Sequence, residues 1–402
     1  MAGENNPVQF GDGGNGSTIN TANTPQLSAF LFEKKALVEA SRDAIFLPLA
    51  SVKDMPANHG KKIKQYVMIP LLDDANLNDQ GIDAAGVVTA HGNLYGSSKD
   101  VGLIAQRLPL LGEQGGRVNR VSFSRRMIEG TFVRLGMFTE YTQESLDHDS
   151  DPELKQHMYR ELLKGATEIT DDMLQSDLLN NAGTVRYAGA ALAKNQLGLE
   201  AFLTYQDLMR LSIDLDNNRT PKKTKVITGT KLTDTKTVDA GRVLYVGSEA
   251  IPMLEAMVDL HDAPAFTPVR QYAAGTQTFA GERGAIGEFR IVVAQEMQRF
   301  AGQGAAVPSS GADAEKAASY YTTGGKFDVF PALCVGDESF TTIGFQTNGK
   351  THKFITRDQP PSANLDRQDP YGEVGFISIK WNYGFMAIRP ERIAVLLFTA
   401  KM

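Results

Sequence analysis

The chain carries one cysteine in 402 residues, Cys334 within the apolar run Ala332–Val335, so neither a disulfide framework nor a cysteine zinc site can form inside one copy. Basic charge is not in excess: 41 Lys and Arg against 47 Asp and Glu leave a formal charge of -6. That balance lacks the broad basic footprint with which proteins neutralise many phosphates, which argues against sequence-specific nucleic-acid binding. No stretch approaches the roughly 18 consecutive apolar residues that a bilayer span requires. The first residues, rich in Gly and Asn, lack the basic and then greasy layout of a signal peptide. The expectation is a soluble protein made in a cytoplasm, with no membrane partner.

Catalytic signatures are equally scarce. The six histidines, His59, His91, His148, His157, His261 and His352, show no metal-ligand spacing, and no nucleophile elbow is present. Gly344, Gly349, Lys350 and Thr351 match the spelling of a phosphate loop. That chemistry needs the Lys and Thr at the start of a helix, whereas His352–Thr356 reads as strand and Pro360-Pro361 follows. Asn348-Gly349 is read instead as a two-residue hairpin turn between strands near 340–347 and 350–356. A glycine cluster at Gly11, Gly13, Gly14 and Gly16 has neither the strand before it nor the helix after it that dinucleotide binding requires. Asp147, Asp149 and Asp151 alternate like calcium-loop ligands, but Pro152 stands where the sharp turn needs Gly. No cofactor, metal or catalytic residue is assigned, and the chain is not read as an enzyme.

What is present is 42% apolar content over a length beyond the roughly 250–300 residues that one core serves, so at least two packed units are expected. Residues 1 to about 28 are too polar to offset the backbone entropy of ordering, roughly 1–2 kcal/mol per residue, and need a neighbouring copy to hold them. Residues Phe30–Leu49 read as one or two short helices ended by Pro48. Ile63–Leu71 and Arg117–Tyr141 are rich in β-branched and aromatic residues with period-two stretches and read as the arms of one long hairpin. The 45 residues between them, Leu72–Gly116, contain eight glycines and form an extended flap.

Ser150, Pro152 and Glu153 then make a helix start. Leu154, Met158, Leu162, Ala166, Ile169, Met173 and Leu174 recur at steps that would keep one face buried until Asn180, Asn181 and Gly183. About 29 residues at 1.5 Å each give a rod of about 43 Å. A capping box at Thr204–Asp207 opens a second helix carrying Leu208, Leu211 and Leu215. Strands at Arg242–Val246 and Phe289–Ala294, with a helix at Pro252–His261, make this middle unit α/β. Residues 299–326 read as a small, polar surface loop, and strands dominate from 327 onward.

Charge is patterned along the hairpin and beyond it. Arg117, Arg120, Arg125, Arg126 and Arg134 make the returning strand basic, while Glu140, Glu144, Asp147 and Asp149 make the next segment acidic. Two readings stand side by side: a solvated face, or a basic flap lying over an acidic neighbour, which makes these nine residues candidates for contact between copies.

The order of arm, glycine-rich hairpin, very long helix, α/β unit and closing strands resembles the Hong Kong 97-type major capsid proteins of tailed phages. Local text carries the likeness too: DPELKQHMYRELLKGATEITDDMLQSDLL at 151–179, VLYVGSEAIPMLEAM at 243–257, GAIGEFRIVVAQEMQRF at 284–300, FDVFPALCVGDESFTTIGF at 327–345 and DPYGEVGFISIKWNYGFMAIRPERIAVLL at 369–397. Within that fold the likeness is to Enquatrovirus-like podoviruses (Schitoviridae). It implies an α+β fold with an N-terminal arm at 1–62, an E-loop hairpin at 63–143, and an axial domain at 199–339. The peripheral domain would comprise 144–198 and 340–402, with a spine helix at about 151–181. It further implies a structural protein that self-assembles as hexamers and pentamers into an icosahedral virion shell, built in the host bacterial cytoplasm. Scaffold, portal and decoration proteins would be its partners, and packaged double-stranded DNA would be contacted non-specifically. A decoration or tail protein of the same virion is the neighbouring reading, set apart by the spine-length helix.

Overall fold

The computed structural model describes residues 44–49, 51–56, 59–69, 125–148, 154–227, 235–239, 241–272, 278–347, 353–361 and 370–401. The arm, the flap, Ser150–Glu153 and the phosphate-loop residues Lys350 and Thr351 therefore lie outside the described residues. Pro48 does not terminate a described helix but sits inside a short 3-10 turn, Leu47–Leu49.

Two sheets organise the described chain. One has six strands in the order β1 (Ser51–Met55), β14 (Phe340–Phe345), β16 (Val374–Ala387), β3 (Arg125–Thr142) and β2 (Lys62–Met68), with β15 (Ile355–Gln359) also on β16. The other has seven, ordered β4 (Thr184–Tyr187), β17 (Ile393–Phe398), β13 (Phe330–Val335), β7 (Arg242–Val246), β10 (Phe289–Val293), β9 (Glu282–Ile286) and β8 (Phe266–Pro268). Residues 340–402 contribute to both sheets, because β17 pairs with β13 and β4 in the second sheet and not with β16. A separate pair, β5 (Lys223–Ile227) with β6 (Thr235–Asp239), flanks the seven strands.

Among the described residues five α-helices accompany the sheets: α1 (Gln143–His148), α2 (Leu154–Asn180), α3 (Tyr205–Asn217), α4 (Ile251–Glu255) and α5 (Ala312–Ala317). At 1.5 Å per residue the 27 residues of α2 form a rod of about 40 Å. It lies between the sheets, where Ala166, Leu174 and Leu178 join Ile379, Trp381 and Tyr383 of β16 to Val243, Tyr245, Leu333, Val395 and Leu397 of the second sheet. On that sheet's opposite face Leu244, Val246, Ile291, Cys334, Leu396 and Phe398 meet Leu208, Leu211 and Leu215 of α3 and Leu254 of α4. Alternate residues of each central strand thus serve two cores, which is why those strands are apolar throughout.

The buried stripe of α2 differs from the expected one. Ile169 is 44% exposed, and the stripe runs instead through Ala166, Thr170, Leu174 and Leu178. Polar groups on the stripe are matched locally, so burial costs little. The Thr170 hydroxyl donates to the Ala166 carbonyl at 2.6 Å, and the Asp171 carboxylate accepts the N–H groups of Phe46 and Leu47 at 3.0 and 2.9 Å. Tyr383 donates its hydroxyl to Asp177 at 2.7 Å, pinning β16 to the rod. The helix closes where expected: a Cβ on Gly183 would stand 2.6 Å from the Pro390 carbonyl oxygen, so only glycine lets the chain pass.

The capping box is present, with Thr204 accepting from the Asp207 N–H. The helix expected at Pro252–His261 is shorter, because the Asp259 carboxylate captures the N–H groups of His261 and Ala263 and turns the chain. Residues 299–326 are not a bare loop. They include α5 and the first strand of a small hairpin, β11 (Thr322–Thr323) with β12 (Lys326–Phe327), closed over Ala317, Tyr320 and Phe327.

Arg242 is the most unusual buried group, 2% exposed. Its guanidinium donates to Asp216, to Glu288 at 3.2 Å and to the Thr220 carbonyl at 2.8 Å, joining the end of α3 to the β9–β10 turn. The Arg242 hydrogen bond holds the Asp216 carboxyl below its ordinary range, and Lys222 does the same for Glu288.

Candidate assembly surface

The expected hairpin arms pair antiparallel, from Lys62 opposite Thr131 to Met68 opposite Arg125. β3 is one strand of 18 residues with two partners: its first part holds β2, and Thr131–Thr142 runs along β16. The hairpin is therefore a continuation of the sheet beyond the rod. Its covered face changes on the way. Gly130 and Phe132 turn toward Ile343, Phe345 and Met386, whereas from Leu135 onward the odd-numbered residues turn toward the rod.

That switch leaves two exposed surfaces. On the hairpin, Tyr66 is 56% and Met68 68% exposed, with Met127 directly opposite Tyr66. The Arg125 guanidinium lies 4.7 Å over the Tyr66 ring, a cation–π contact. Lys64 pairs with Glu129 at 2.9 Å and holds that carboxyl below its usual range.

The second surface is the face of the six-stranded sheet turned away from α2. Register places Arg134 opposite Asn382, Gly136 opposite Lys380 and Ile355, Phe138 opposite Ser378 and Arg357, and Glu140 opposite Phe376 and Gln359. Phe138 is 65% exposed at its centre. The Lys380 ammonium is held below its ordinary range, first by the charge of Arg357 and also by that of Arg134.

Among the residues singled out from sequence, Arg125 and Arg126 lie on the hairpin, where Arg126 donates to the Ile388 carbonyl at 3.2 Å. Arg134 and Glu140 share the outer sheet face, and Glu144 and Asp147 sit on α1 at its end, with Gln143 donating to Asp147 at 2.8 Å. Arg117, Arg120 and Asp149 lie outside the described residues. Arg357 and Lys380 were not among them. The outward alternation of Phe376, Ser378, Lys380 and Asn382 was visible in sequence, but which strands would carry cations beside it was not.

The phosphate-loop reading loses its structural basis. Gly344 lies within β14, which runs parallel to β1, and residues 355–359 form a strand where a helix would be needed. The expected Asn348-Gly349 turn lies outside the described residues, and the ladder expected between the strands on either side of it is absent among the described ones. β14 and β15 do not pair with each other but occupy successive stretches of the same edge of β16, β14 opposite Phe385–Ala387 and β15 opposite Phe376–Lys380. Among the described residues no ladder joins β14 to β15.

No family model matches the chain. It is 51% identical over 397 residues, 98% of both chains, to the major capsid protein of Pseudomonas phage KPP21. Among solved structures it is similar to the capsid of Ralstonia phage GP4, with a TM-score of 0.56 at 11% identity over 96% of this chain and 99% of that one. The cyanophage Pam1 capsid is similar as well, with a TM-score of 0.54 at 10% identity over 94% and 98%. These two likenesses concern the fold.

Proposed function

Because the chain belongs to the phage major capsid proteins, and so is a structural protein of a capsid shell, we propose that its copies tile the icosahedral head of a tailed double-stranded DNA phage as hexamers and pentamers. The finer affiliations, a Hong Kong 97-type architecture and a Schitoviridae-like relative, form part of this proposal, as do the domain boundaries read from sequence. So do assembly in the host cytoplasm and partnership with scaffold, portal and decoration proteins around non-specifically held DNA.

The single observation that carries the geometric side is the hairpin. Tyr66, Met68 and Met127 form an exposed apolar stripe on two strands that run past the rod and its core. A contiguous exposed stripe of that kind marks a surface that another molecule covers. Obligate contacts bury 2,000–5,000 Å² or more, and the stability of each copy then becomes inseparable from assembly. The nine charged residues named from sequence are candidates for the rim of such contacts.

Electron microscopy of the purified chain at high concentration, alone and with a scaffold partner, tests the proposal. Rings, sheets or closed shells are expected. A species that stays monomeric under all these conditions would refute it.

A further inference from the structure

We propose that the outer face of the six-stranded sheet is a second contact between copies, in which the cations Arg134, Arg357 and Lys380 of one copy receive the acidic end, Glu140, Glu144 and Asp147, of another. This rests on the shell reading above and adds to it a surface separate from the hairpin stripe.

The geometry begins with register. Arg134 on β3, Lys380 on β16 and Arg357 on β15 occupy adjoining rows of one face, and none has an anionic partner among the described residues. Other cations are matched, Arg242 by Asp216 and Glu288, Arg186 by Asp214, Lys64 by Glu129. Here three share one face without a paired carboxylate, close enough for Arg357 and Arg134 to disfavour the charge on Lys380. A cluster that repels itself is stabilised when carboxylates arrive.

Those carboxylates are displayed at the far end of the same sheet. Glu140 faces outward, and α1 carries Glu144 and Asp147, none of the three in an ion pair among the described residues. Six residue steps along β3 separate Arg134 from Glu140, roughly 20 Å, beyond the screening length of about 8 Å at physiological ionic strength. Arg357 lies nearer, one row from Glu140 and across β16 from it, yet no ion pair joins the two among the described residues. A second copy, shifted along the face, brings opposite charges into contact.

Among these charges lie Phe138, in the row of Arg357, and the partly exposed Ile355, in the row of Lys380. An apolar centre with a charged rim is the anatomy of a protein–protein contact. A phosphate backbone would use the three cations but would leave Phe138 idle and meet the carboxylates unfavourably. The face therefore fits a second copy of this chain better than nucleic acid.

Charge reversal decides the matter. Variants Arg357→Glu/Lys380→Glu and Glu144→Lys/Asp147→Lys are made separately and together. Thermal unfolding first establishes that each folds, as these side chains lie on the surface. At about 0.15 M salt each separate variant is expected to lower shell yield by about tenfold, and the combined variant to restore it. Undiminished shells from the separate variants would overturn the proposal while leaving the shell reading intact, as would a combined variant that stays defective. Shells that form normally from Arg357→Glu/Lys380→Glu but retain less DNA would also overturn it, assigning the face to DNA. Absence of shells from the unaltered chain would remove both readings.

Discussion

In the seven-stranded sheet every residue of β7, β13 and β17 is buried, whereas β2 alternates exposed and half-buried along its whole length and the outer face of β3 leaves Phe138 in water. One sheet has the rod against one face and α3 with α4 against the other. Among the described residues the second has the rod on one side only, and its hairpin extends past even that cover. Two covered faces let a sheet hold its shape within a single chain. An antiparallel sheet leaves one face to water when that face is polar, but here the face carries Phe138, and the proposed contact between copies would cover it.

The contrast is broken most forcefully from the covered side. Leu396 is fully buried between α3 and its neighbours in the second core. Leu396→Ala should lower the unfolding free energy by about 2–5 kcal/mol, since truncating a buried leucine loses transfer energy and leaves a cavity. A denaturant midpoint like that of the unaltered chain would show that this core can collapse around the gap.

Arg242 gives the next largest effect. Arg242→Met should cost about 1–3 kcal/mol, the range for losing buried hydrogen bonds to charged groups. Its pH signature has a definite sign. The Arg242 hydrogen bond holds Asp216 below its ordinary value in the folded state, so that contribution is present above about pH 4 and is lost as pH falls through the lowered value. The Asp216 carboxylate is nearly half exposed, and screening keeps this pH-dependent part on the order of 1 kcal/mol or less. Denaturant midpoints between pH 7 and 3 should therefore converge for the two proteins, and a gap that widened on acidification would contradict the assignment.

The same contrast explains what could be read from sequence. Runs such as Arg242–Val246 and Ile393–Phe398 announce strands buried on both faces, and the hairpin arms announce themselves by period-two alternation. The rod, too, was legible from its apolar steps and its glycine end. Ile169 was misplaced because the true stripe passes through Thr170, which bonds back to Ala166, and Asp171, whose burial depends on partners far away in sequence, Phe46 and Leu47. β1 was missed because Ser51–Met55 has little apolar pattern and is held by its parallel pairing with β14. The hairpin ladder expected around Asn348-Gly349 was misplaced because β16 is long enough to hold β14 and β15 end to end on one edge, a pairing no local turn signal reveals. The candidate contact face was half legible: the alternation of β3 placed Arg134 and Glu140 together, while Arg357 and Lys380 arrive beside them only through strand pairing.

The smallest effect on the isolated molecule is the one that sharpens the contrast most. Tyr66→Ser with Met127→Ser removes one ring and one thioether chain from a face that already meets water, so there is no cavity to leave and little burial to lose. The unfolding midpoint should shift by no more than the equivalent of about 0.5 kcal/mol. Shell yield should nevertheless fall, because the lost surface is the part that a neighbouring copy would cover. Measuring both quantities on one preparation separates the two roles. A large loss of stability would mean that the hairpin stripe already packs within its own chain, and unchanged shells would mean that neighbours do not use it. Small change in the molecule with large change in the assembly is the outcome that follows from an open sheet face.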